Sequence, residues 1–320
     1  MGFNNIQPKY LEPLVGSMYL LTSVVGMYVL LGRVTGVNGM IQRSLQPDLW
    51  RISFLFGLLI SGISANIYNN QLLGWYTPSS GLQSFWNWII AGWLVGYGAK
   101  RGSGCTSGHM LCGVSRFSRR SIIASACFVS SGMIARVILP SDSGFSMIQE
   151  RIPSEGDILN QISFLFAFIS ILMVGVLVTK RTSWLRPFIS LWCGFIFGCG
   201  LILAKMTQAR VVIGFLSLLK DPLLFDPTLL SLVLGAVVPL SIIYNLYIAH
   251  QKKTLLNDQF DVPSRTDIDK DLIIGSIAFG FGWGVCGICP GPLIVNLPTG
   301  QIQYFIFGLF MFLGSKSFNK

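Results

Sequence analysis

No charged residue occurs between Arg51 and Lys100, or between Asp271 and Lys316. Within these stretches, apolar runs approaching the roughly 20 residues of a membrane span alternate with glycine-rich breaks. That pattern leaves little scope for a water-soluble fold. The whole chain agrees: of 320 residues, 52% are hydrophobic and 11% charged, where soluble domains carry about 25% charged. The sequence therefore predicts an all-α polytopic membrane protein, with the lipid bilayer as its surroundings. The net charge of +10 suits Lys/Arg-rich cytoplasmic loops. No basic run is long enough for a nucleic-acid tail, so no nucleic acid is expected as a partner. The amino terminus lacks a basic leader and a small-residue cleavage site, so its first apolar run is expected to stay as a span. The seven cysteines sit almost wholly in apolar segments, against a disulfide framework.

About nine transmembrane helices are predicted, near 13–31, 52–67, 83–98, 120–139, 158–179, 187–204, 228–249, 271–285 and 301–315. An odd number puts the termini on opposite faces. One face then collects Lys9, Arg136, Arg151, Lys205, Arg210 and Lys220, and the other the remaining 17 of 23 basic residues. The richer face is cytoplasmic by the positive-inside rule. This gives a cell-membrane protein with its amino terminus outside and its carboxyl terminus in the cytoplasm. Loop 250–270 is cytoplasmic and the acidic loop 141–157 external.

Two glycine–cysteine elements stand out. Gly96-Tyr-Gly98-Ala-Lys-Arg-Gly102-Ser-Gly104-Cys105-Thr106-Ser107-Gly108-His109 is one; Gly280-Phe-Gly282-Trp-Gly284-Val-Cys286-Gly-Ile-Cys289-Pro290-Gly291-Pro292 is the other. In both, a cysteine follows seven residues after a glycine. Broken helices within a membrane are tolerated where they line a cavity or are buried in protein. A matched pair marks the pathway of a repeat-built transporter. Each half also carries an earlier break: Gly32-Arg33 with Gly36, Asn38 and Gly39, then Gly200 through Lys205, Met206, Thr207 and Gly214. The chain reads as one transmembrane domain, 1–320. Its pseudo-repeats, 13–140 and 187–316, are inverted and joined by the linker span 158–179.

Helix amino termini offer an anion oriented N–H groups without a fixed charge. Thr106 and Ser107 are expected to cap a helix starting near Gly108, Thr207 a helix over 208–219, and Asn38 a helix over 39–45. Pro290 suits a first helical turn. A thiol adds a weak, polarisable donor suited to a soft sulfur anion.

Cys105-Thr-Ser-Gly-His109, with Gly113-Val-Ser115-Arg116 and Ser118-Arg-Arg-Ser121, resembles the first signature of the YeeE/YedE family of thiosulfate and other sulfur-compound transporters. Gly282-Trp-Gly284 through Cys289-Pro290-Gly291-Pro292 resembles the last, and the two earlier breaks are similar to the remaining elements. The likeness runs from about residue 14 to 310. It implies nine spans and four short re-entrant helices in an hourglass, with cysteines relaying a thiosulfate-like anion; carried over, these are Cys105 and Cys289. A further cysteine of some members has no counterpart here, where Gly36, Val37 and Asn38 stand. Lys205 replaces a usual glycine.

Rival readings stand beside these. Cys286 and Cys289 form a Cys-x-x-Cys pair, as a membrane thiol oxidoreductase would use. Another soft anion, a selenium compound or sulfite, would suit the same path. Two histidines, His109 and His250, are too few for a zinc site, and neither metal nor cofactor is expected. His109 is read as a hydrogen-bonded structural group, Cys199 as a second-rank lining residue, and Cys112, Cys127 and Cys193 as packing. Lys205 and Arg210 either attract anions at the outer mouth or snorkel. Arg116, Arg119 and Arg120 are expected to meet lipid headgroups, and Trp50, Trp75, Trp86 and Trp184 to anchor at interfaces. Loop 250–270 leaves room for a cytoplasmic sulfur-handling protein as partner.

Overall fold

The computed structural model describes residues 8–43, 48–69, 72–74, 82–139, 184–256 and 258–318. These are helical with no named strand; a lone bridge joins Arg33 and Asp261. The long helices are α1 (Pro8–Gly26), α3 (Leu49–Asn69), α4 (Leu82–Arg101), α5 (Arg119–Ile138), α6 (Leu185–Leu203), α10 (Lys270–Cys286) and α12 (Ile302–Lys316). α1 continues through a π-helical turn to Leu31. A further traverse joins α8 (Thr228–Leu232), a π-turn and α9 (Val238–Leu246). The short helices are α2 (Val37–Gln42), the π-helical segment Ser107–Gly113, α7 (Ala209–Leu216) and α11 (Pro290–Asn296). The expected linker span 158–179 and loop 141–157 lie outside the described residues.

Six runs among the described residues are long and apolar enough to cross a membrane, which makes this a multi-pass membrane protein. α12 is shorter, at 15 residues. α4 falls outside the six; it carries Trp86, Asn87, Trp88 and Trp93 and is packed between α10 and α12.

Hydrophobicity alone cannot hold such helices together, because lipid is as apolar as leucine; close backbone approach does. α3 crosses α6 where a methyl on Gly57 would strike the Leu191 carbonyl, and one on Gly194 the Phe54 carbonyl. α4 meets α12 at Gly92, where a methyl would sit 2.6 Å from the Phe307 carbonyl oxygen. α5 meets α10 at Gly284, with 2.5 Å to the Gly132 oxygen. α1 packs on both α6 and the α8 traverse, and α4 on both α10 and α12. Small residues let these helices touch backbone to backbone.

The segment 251–269 is tied to the helices. Leu255 donates its N–H to the Val29 oxygen at 3.0 Å, and Asp261 to the Gly32 oxygen at 2.9 Å. Gly32 sits at φ 64°, the left-handed region that favours glycine. Arg186 forks onto Asp258 at 2.9 and 2.8 Å. Arg120 reaches Asp269 at 3.2 Å, and Asp269 caps α10 through the Leu272 N–H at 3.0 Å. The segment is thereby strapped across the helix ends.

Candidate functional site

The short helices converge on one buried throat. Cys105 and Cys289, each 2% exposed, line the same cavity of about 40 Å³. First-turn residues of three short helices reach it: Val37, the Thr106–Ser107 pair, and Gly291 with Pro292. Met206, just ahead of α7, completes that ring. Leu20, Phe197, Leu201, Leu229, Leu232 and Trp283 supply apolar wall. A water needs roughly 10–15 Å³ on this measure, so the throat holds about three. A small anion stripped of its water shell fits there; a hydrated one does not.

The polar groups in the throat are linked across helices. The Thr106 hydroxyl donates to Cys289 Sγ at 3.3 Å, so the first-half hairpin touches the second-half cysteine directly. Ser107 Oγ lies 3.3 Å from Cys105 Sγ and accepts the Val37 N–H at 3.2 Å. These hydroxyls face partners in other segments, so neither caps its own helix as the sequence predicts. Once Thr106 has donated to the Cys289 sulfur, the thiol proton is left for the cavity. Pro290 opens α11 as expected, with Cys289 in the N-cap position.

Other expectations are corrected. Asn38 lies inside α2, buried, and Gly36 takes the N-cap position. Thr207 gives its hydroxyl to the Leu72 oxygen at 3.3 Å, while its carbonyl accepts from Asn296 at 2.8 Å; it ties loops together and does not cap α7. Cys199 packs beside Tyr19 and Ile196, away from the throat. Cys286 points to the Asn87 oxygen of α4 at 3.5 Å and does not line the cavity. Lys205 is engaged by Glu12, a buried acid at 3.4 Å, and it occupies a left-handed backbone position at φ 56°. A site that wants glycine here carries lysine, whose side chain neutralises that acid. His109 is buried and makes two hydrogen bonds. The Gly102 oxygen can only accept, so Nε2–H donates to it at 3.1 Å, and Nδ1 accepts from Ser121 at 3.1 Å.

A second, larger cavity, a vestibule of about 410 Å³, shares Cys105 with the throat. Gly36, Gly108 and His109 line it, as do Arg33, Arg43, Arg51, Arg116, Arg120 and Arg265, with Asp261 as the one acid of that lining. Arg116 and Arg120 thus line an internal cavity. Trp50 is likewise in the vestibule wall, with the guanidinium groups of Arg33 and Arg51 5.5 and 5.0 Å from its ring. Trp86 and Trp184 are exposed, and Trp75 lies outside the described residues. The sequence reading also missed Trp283, whose indole Nε1–H is buried without a hydrogen-bond partner among the described residues. Among these residues no cluster of His, Cys, Asp or Glu could hold a metal ion.

Residues 14–134 match a family described as sulphur transport. A probable transporter of Xylella fastidiosa (strain Temecula1 / ATCC 700964) is 38% identical over 128 residues, which is 39% of this chain and 91% of that relative. The chain belongs to the YeeE/YedE-type sulfur transporter family. A probable transporter of strain 9a5c is 37% identical over 128 residues, with the same two shares. These relatives thus have less than half the length of this chain. Residues 186–320 match a second model, a family of unknown function (DUF6691), so the two ends are recognised separately.

Proposed function

We propose that the protein imports a small sulfur-containing anion, thiosulfate foremost, through the throat between Cys105 and Cys289. The observation that carries this is the convergence of both thiols, each from its own glycine-broken hairpin, on one cavity sized for a dehydrated anion. Stripping water from an anion needs compensation. Here it comes from weak donors: two thiols, the Ser107 hydroxyl and backbone N–H groups at the starts of short helices. Weak donors permit release, which conduction requires. A fixed cation in the throat would hold the ion and cost energy when empty.

An inverted repeat supports the same reading. Exchanging the halves pairs α1 with α6, α3 with the α8–α9 traverse, α4 with α10 and α5 with α12. Under that exchange the α3–α6 contact becomes α8 on α1, and α5–α10 becomes α12 on α4; all four contacts occur. With the Lys/Arg bias, the vestibule faces the cytoplasm and the amino terminus the outside. The oxidoreductase alternative draws no support from Cys286, which is turned toward α4.

The test is uptake of labelled thiosulfate into proteoliposomes of purified protein, with sulfite and selenium oxyanions as competitors. Uptake that persists in both Cys105→Ala and Cys289→Ala overturns the cysteine relay. Failure of wild type to take up thiosulfate, with uptake of a competitor, moves the assignment to that anion.

A further inference from the structure

We propose that the arginine-lined vestibule is itself a binding site for a hydrated tetrahedral dianion, distinct from the cysteine throat, and that Asp261 is its built-in competitor. The sequence scatters the lining over four segments: Arg33 and Arg43, Arg51, Arg116 with Arg120, and Arg265. The fold gathers six guanidinium groups around about 410 Å³, roughly thirty waters by the measure that gives the throat three. An anion here keeps much of its water shell.

The acids nearby do not cancel this charge. Asp48 pairs with Arg51, Asp261 with Arg33, and Asp267 and Asp269 with Arg265; Asp269 also meets Arg120. Arg43 and Arg116 have no ion pair to an acid among the described residues. Arg116 is positioned by backbone, its Nε donating to the Cys112 oxygen at 2.9 Å and Nη1 to the Pro263 oxygen at 3.4 Å. Arg120 has a side chain only 6% exposed, and its Nη2 is buried without a partner among the described residues. Fork-shaped guanidinium groups match tetrahedral oxyanions well.

Asp261 arrives on the strap 251–269, whose backbone is fixed to Gly32. Its carboxylate, 66% exposed, pairs with Arg33 at the vestibule rim. A pair this open is easily displaced. The carboxylate thus stands in for the anion when the vestibule is empty and yields when one enters.

This inference does not need the throat to conduct. The test uses labelled inorganic sulfate, a tetrahedral dianion with no soft terminal sulfur, in equilibrium binding to purified full-length protein. Wild type should bind sulfate, more weakly as salt is raised. Arg43→Gln should weaken binding about two- to fivefold, and Asp261→Asn should tighten it by a similar factor. A gain in affinity cannot arise from misfolding. Cys289→Ala should cut thiosulfate uptake more than about tenfold and keep sulfate binding. No sulfate binding by wild type, or binding indifferent to both vestibule substitutions, overturns the vestibule site while leaving cysteine-dependent uptake intact. Sulfate binding that responds as stated, without thiosulfate uptake, upholds the vestibule and removes the transport reading.

Discussion

Thr106 and Cys289 allow the throat chemistry to be measured bond by bond. The hydroxyl of one hairpin donates to the sulfur of the other at 3.3 Å, inside a cavity that excludes bulk water. Thr106→Val keeps the shape and deletes the donor. A neutral hydrogen bond is worth about 0.5–1.5 kcal/mol net, which converts to a loss of about two- to twelvefold in uptake efficiency. Cys289→Ala removes the acceptor and the thiol together, so its loss should exceed about tenfold. The double variant is the decisive case. If the hydroxyl acts only by orienting that sulfur, it has nothing left to orient once the sulfur is gone. Thr106→Val/Cys289→Ala should then match Cys289→Ala within about twofold, a coupling as large as the Thr106 effect itself. The assay is initial-rate uptake of labelled thiosulfate into proteoliposomes, normalised to protein incorporated. Multiplying losses in the double variant would refute the orienting role. Cys289→Ala with wild-type uptake would refute the relay.

Trp283→Phe deletes a buried donor without a hydrogen-bond partner among the described residues, so the melting temperature in detergent should hold or rise while uptake falls; a drop in both would make the indole structural. Gly92→Ala places a methyl 2.6 Å from the Phe307 oxygen and should destabilise by about 1–3 kcal/mol, read as a lower melting temperature. Lys205→Gly relieves a left-handed backbone worth about 1–2 kcal/mol but strands the buried Glu12 carboxylate, at about 3–5 kcal/mol. Net destabilisation of about 1–4 kcal/mol is expected, and adding Glu12→Gln should restore stability; no recovery would show that the pair is not what Lys205 supplies.

The helices were legible from the sequence because hydrophobic runs and their glycine breaks are local signals. Span 187–204 became Leu185–Leu203 and span 271–285 became Lys270–Cys286. The two signature cysteines were legible for the same reason, each following a break in its own helix. Hydroxyl roles were not. Thr106 and Ser107 have the right position for capping, yet residues from other parts of the chain reach them first, and nothing local encodes Val37 or Cys289 as partner. The vestibule was illegible for a stronger reason. Its arginines are separated by up to 232 positions, and one by one each looks like a loop charge or a lipid anchor. Cys199 failed in the opposite direction: it sits beside a helix break, but helical phase turns it outward toward Tyr19.

The contacts at Gly57, Gly92, Gly194 and Gly284 carry a mechanical consequence. Where a carbonyl rests directly on a glycine there is no cushion of side chains to shear, so neighbouring helices are keyed like teeth. Sliding or tilting one against another would mean lifting several teeth at once. Such a frame leaves the turnover of the protein to a few flexible groups, Met206 and the leucines at the throat among them. Its speed should therefore follow the bulk of those groups far more than the thickness or fluidity of the surrounding lipid.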